Sequence, residues 1–208
     1  MAPRRSDNLL SGPNDPVEKE RQNCPHTGRN AGPGGTPGPV LLALDPGKSS
    51  KGGLGWSVWH GPEFLEAGLA RVKGHPELGA RALLLADQVP HGAEDVVVER
   101  MVQYPGWGRS DSLQARDRKA NDLLDLQAIG GIVAGHCVAK GGRIHYVTPH
   151  GWKGELPKEV AVARVRKYLH PSELAVLERC LAEVPASLHH NVYESVGIGL
   201  WFLRRWKR

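Results

Sequence analysis

Long apolar runs are absent from this sequence. No stretch approaches the roughly 18 residues needed to cross a bilayer, and MAPRRSDNLL at the N-terminus lacks the apolar centre of a secretory signal. Cysteine is scarce too. Cys24, Cys137 and Cys180 are odd in number and far apart, with no CxxC pair. That argues against a zinc site and a disulfide framework and fits a reducing compartment. No internal repeat is present. Residues 1–38 show no hydrophobic periodicity and are rich in Pro, Gly and Asn, so they are expected to form a disordered tail before a domain over 39–208.

The rest of the composition is ordinary for a soluble globular chain: 40% hydrophobic and 24% charged over 208 residues, enough for one well-packed domain. The net charge of +5 favours a polyanionic partner without requiring one.

What the sequence does contain is a set of apolar elements that each carry one acid. VLLALDPG, residues 40–47, places five apolar residues before Asp45, the pattern of a strand buried on both faces. Pro46-Gly47 then turns the chain, so Asp45 falls at a strand end, facing a cleft. Val96-Val97-Val98 leads to Glu99 in the same way. The stretch from His189 to Trp206 is helical and apolar around Glu194. A carboxylate on a buried element is costly to desolvate unless a cation or hydrogen-bond donors meet it. Each acid alone has a plain reading: a DPG turn, a Glu99-Arg100 ion pair, an exposed helix residue, with His190 or Asn191 as a helix cap. Together they are expected to converge on divalent metal.

Between these landmarks the pattern predicts strands over 40–45, 54–60 and 63–73 as an antiparallel meander, then a helix over 76–89 and a strand over 95–101. A polar loop over 103–119, a long helix over 120–140 and a strand over 143–148 follow. The loop PHGWKGELPK leads to helices over 157–169, 171–183 and 189–206. This order predicts an α/β domain, a mixed sheet with helices packed on it. Gly130, Gly131, Ala134 and Gly135 give the long helix a small-residue face suited to a partner helix or to the sheet.

Two magnesium ions about 3.5–4 Å apart clamp the attacking and leaving oxygens of a phosphodiester. Magnesium takes hard oxygen ligands, chiefly carboxylates, water and phosphate. Asp45, on the central strand, is the natural bridging ligand, with Glu99 and Glu194 beside it. Asn191 and His190 share the helical face of Glu194, so one of them is expected as a fourth ligand.

LLALDPG, VVVER and HNVYESVGIGLWF together resemble the RuvC-type Holliday-junction resolvases of the RNase H-like superfamily, and most closely their smaller phage-type members. TPHGWKGELPKEV (148–160) is similar to the WKG…PK segment of the same family, and the resemblance covers about residues 40–206. It implies a five-stranded RNase H-like sheet of three antiparallel strands plus parallel strands, flanked by helices. It further implies a crossover junction endodeoxyribonuclease that cuts branched DNA, the four-way junction above all, with paired nicks from a homodimer. Asp45, Glu99 and Glu194 match the family's acids. Many members carry two Asp three apart on the last helix, where this chain has Asn191 and Glu194. The neutral Asn bears on occupancy by two Mg2+ and on a shift towards Mn2+. The cytoplasm of a bacterium or phage-infected cell is the expected location.

Around the acids lie groups suited to nucleic acid. Trp107 can stack on a base, while Arg109, Arg116, Arg118 and Lys119, with Lys153 and Lys158, can neutralise phosphates. The plainer reading is a packed loop anchor and a solvated basic face. Three rivals stand beside the resolvase: a weakly catalytic branched-DNA-binding protein or partner subunit on the same fold, a fork or flap nuclease, and an actin- or hexokinase-type ATP-binding domain. The last needs a second D-x-G turn and a second domain, and this chain has neither.

Overall fold

The structure, a computed structural model, describes residues 40–47, 53–74, 77–102 and 112–206. The 1–38 tail, Trp107, Arg109 and the side chain of Arg116 lie outside the described residues. The apolar run Val40–Asp45 forms β1, followed by β2 (Leu54–His60), β3 (Glu63–Ala70), β4 (Ala93–Glu99) and β5 (Val138–Val147). They make one sheet in the order β3-β2-β1-β4-β5. β1, β2 and β3 are the expected antiparallel meander, while β4 and β5 run parallel to β1. This is the expected mixed five-stranded sheet, three antiparallel strands plus parallel ones, flanked by helices. Its middle strand has neighbours on both edges and cores on both faces, which is why β1 reads as continuously apolar until Asp45.

Strand alternation divides the interior into two cores. Leu42 and Leu44 of β1, with Val96 and Val98 of β4, pack on α1 (Leu78–Ala86) and α2 (Leu113–Cys137) through Leu85, Ile129 and Val133. Leu41, Ala43 and Val97 face the other way, onto Val192 and Val196 of α6 (His189–Phe202). By the same parity Asp45 and Glu99 belong to the set that faces α6.

α6 is buried along most of its length, so its sequence carries no polar stripe. Glycine lets it sit this close. A Cβ on Gly199 would collide with the Trp59 indole nitrogen, and one on Gly55 would collide with the Asn191 carbonyl. The Ser57 hydroxyl donates to the Ser195 carbonyl at 3.0 Å and ties α6 to β2.

Three elements depart from the sequence expectation. The polar segment before residue 120 is helical from Leu113, because Ser112 caps Ala115 N–H at 3.3 Å and good helix formers follow. β5 starts at Val138, directly after α2, and Gly141 at φ 83° absorbs the extra residues before the regular ladder resumes at Arg143. Within PHGWKGELPK a short helix, α3 (Pro149–Trp152), is capped by Thr148 on Gly151 N–H at 3.0 Å. The small-residue face of α2 meets the sheet at Gly130, where a Cβ would lie 2.9 Å from Pro46 and 3.0 Å from Val98. Burial pushes the Cys137 thiol up to about 11, so it stays protonated. Among the described residues no helix is long and apolar enough to cross a membrane.

Candidate metal centre

β1 and β4 are parallel with Leu44 opposite Val98, so their carboxyl ends coincide and Asp45 comes beside Glu99. α6 crosses the same end of the sheet and supplies Glu194. One oxygen from each of the three lies within 4.8 Å of the others. Asp45 and Glu99 are each only 3% exposed, and Glu194 is half-buried.

The three are not held alike. The Trp152 indole N–H donates to Glu99 Oε2 at 2.5 Å. The Lys153 ammonium donates to Glu194 Oε1 at 2.7 Å, in a pair whose side chains are only 14% and 12% exposed. No donor among the described residues meets the Asp45 carboxylate.

Burial pushes Asp45 well above the usual carboxylate range, and the charges of Glu194 and Glu99 push it further, against the pull of Lys153 and Lys158. Burial also raises Glu99, with Lys153 and the Trp152 hydrogen bond opposing. Lys153 is raised despite its burial, because Glu99 and Glu194 stabilise its charge. A carboxylate that no protein donor meets, among other acids, is open to a cation. Three converging hard oxygens fit a magnesium-like divalent ion.

Of the other expected ligands, Asn191 is buried on the first turn of α6, and its amide nitrogen lies 3.5 Å from where a Gly47 Cβ would be. That puts it against the turn leaving Asp45. His190 is half-buried and contributes no atom to the group of mutually close ligands. Of the expected DNA contacts, Lys153 turns inward onto Glu194. Lys158 opens α4 (Lys158–Tyr168), and its charge reaches Asp45 and Glu99. Arg118 and Lys119 are exposed on α2. A cleft of about 240 Å³ opens beside Glu99, lined by Arg100, Gln127, Gly130 and Tyr146 among others. Trp152 is the participant that sequence reasoning missed. Its signal was the tryptophan of the WKG…PK segment, which the resemblance includes without giving it a role.

No known family profile matches the chain, and no curated protein is similar to it in sequence. Among solved structures it is similar to T. thermophilus RuvC in complex with Holliday junction substrate. The identity is 15% over 77% of this chain and 90% of that one, with a TM-score of 0.34.

Proposed function

We propose that the chain is a metal-dependent endonuclease that resolves four-way DNA junctions in the cytoplasm, acting as a homodimer. The observation that carries this is the meeting of three acids at one end of the sheet, with Asp45 buried and left without a donor. Asp45, Glu99 and Glu194 hold the metal, and Asn191 lies at the same helix turn. When bound, a divalent cation supplies a lowered pKa for water and neutralises charge developing on a scissile phosphate. The chain's own residues do the rest. Trp152 fixes the Glu99 carboxylate in one orientation, and Lys158 brings positive charge towards the acids. Arg118 and Lys119 on α2, with Trp107, Arg109 and Arg116, line up the phosphate backbone and a branch-point base. Two symmetric nicks in a four-way junction need two sites related by a two-fold axis, which a dimer provides.

The test is cleavage of labelled four-way junction, fork and linear duplex with Mg2+ or Mn2+, with Asp45→Asn alongside. Paired nicks in the junction, absent in the variant, are expected. Equal cutting of fork and junction would make the chain a general branch nuclease. Binding without cutting in either metal would overturn the catalytic reading in favour of a branched-DNA-binding protein.

A further inference from the structure

The proposed function leaves open how many ions the centre takes, and the donors present answer it. Three carboxylates bring a nominal charge of −3, and Lys153 returns +1 from within the cluster. The remainder matches one divalent ion, and the charge of Lys158, which also reaches Asp45 and Glu99, further disfavours a second. The oxygens tell the same story. Glu99 Oε2 is taken by the Trp152 indole and Glu194 Oε1 by Lys153. These donors orient both carboxylates and leave both Asp45 oxygens and the second oxygen of Glu99 and of Glu194 without a competing donor, a set suited to one hard cation whose shell water and phosphate complete. Asn191, where a fourth acid would balance a second ion, is neutral.

Lys153 is also held in place. Its ammonium lies 4.9 Å from the centre of the Trp152 ring, over a side chain that is itself buried. A second ion about 3.5–4 Å from the first would have to take Glu194 from Lys153 and then sit beside its charge.

We infer that this centre binds a single divalent ion, with the Lys153 ammonium occupying the place of a second cation on Glu194. The inference rests on the metal-dependent reading above and deepens it. Lys153 is therefore a positioning residue that sets stoichiometry.

The experiment is titration of the full chain with Mn2+, counted by electron paramagnetic resonance of the free ion and by calorimetry, without DNA. One ion per chain is expected for the wild type. Lys153→Met should add a second ion, and so should Asn191→Asp, by restoring the missing charge. Circular dichroism checks that each variant is folded, and Lys153→Gln takes the place of Lys153→Met if that variant is not. Two ions per wild-type chain, with affinities within about tenfold of each other, would overturn the inference and leave the proposed function standing. A folded Lys153 variant that still binds one ion would remove Lys153 from its role. A wild-type chain that binds no Mn2+ would overturn both readings.

Discussion

Two buried acids in this molecule are treated in opposite ways. Glu173, on α5 (Pro171–Ala182), accepts hydrogen bonds from Phe64 N–H at 2.9 Å and His170 N–H at 2.7 Å. It also takes both arms of the Arg205 guanidinium, at 2.7 and 2.6 Å. Burial alone would raise it, but the Arg205 hydrogen bonds and the two backbone donors hold it below the usual carboxylate range. Asp45 is as deeply buried, has no donor among the described residues, and is pushed far above that range. A satisfied acid fastens a scaffold. An acid with no protein donor, kept close to two more acids, costs the scaffold stability and marks where a ligand belongs.

The largest effect expected from breaking this contrast is on the satisfied side. Glu173→Gln leaves the Arg205 charge without its partner and should cost about 3 kcal/mol in urea unfolding. A loss below about 1 kcal/mol would mean that the clasp contributes no more than a surface pair. Asp45→Asn should act with the opposite sign, stabilising the metal-free chain by about 1–2 kcal/mol while cleavage disappears. If that variant were less stable than the wild type, Asp45 would be a structural acid after all. Excess Mn2+ should raise the melting temperature of the wild type and leave Asp45→Asn unmoved.

The two acids should also answer pH in opposite directions. Asp45 and Glu99 have folded-state pKa values above their unfolded ones, so the native chain holds the extra protons between them and stability falls as pH rises through that window. Glu173, with Asp95 held down by Arg143 and His145 against its own burial, contributes stability above the unfolded value and loses it as pH falls. The advantage of Asp45→Asn over the wild type should therefore grow from about pH 4 upwards, and the deficit of Glu173→Gln should shrink below about pH 4. Parallel stability curves for the two variants would refute the distinction. The smallest effect lies between the extremes. Trp152→Phe keeps a ring but removes the donor to Glu99, costing about 1 kcal/mol and raising the apparent pKa of Glu99. Carboxyl resonances followed by NMR titration would report an unchanged Glu99 if the indole contact were incidental.

The three acids of the centre were legible in the sequence because each interrupts an apolar pattern. Asp45 ends a run of five apolar residues, Glu99 ends three valines, and Glu194 sits in a helix with no polar face. The sheet followed from the same runs. Glu173 was invisible, because one acid in a helical segment looks like any exposed glutamate until Arg205 and the β2–β3 hairpin close on it. Trp152 and the pairing of Lys153 with Glu194 went unforeseen for a related reason. Cations and a tryptophan in a Gly/Pro-rich segment resemble a surface loop, and only the parity of β4 and the placing of α3 turn them inward. The start of α2 was missed because its first turns are polar, so helix propensity and a serine cap decide what periodicity does not show.

The sequence positions of the three acids also carry a consequence for how the chain folds. Asp45 and Glu99 come from strands that pair with each other, but Glu194 arrives on the last described helix, docked onto β1 and β2 by glycines and the Ser57–Ser195 bond. Contacts between such distant parts of a chain carry the loop-closure cost of bringing them together. A nascent chain that lacks α6 has the sheet residues but not the three-acid centre. The three-acid centre is thereby withheld until synthesis has passed α6, a delay written into the topology.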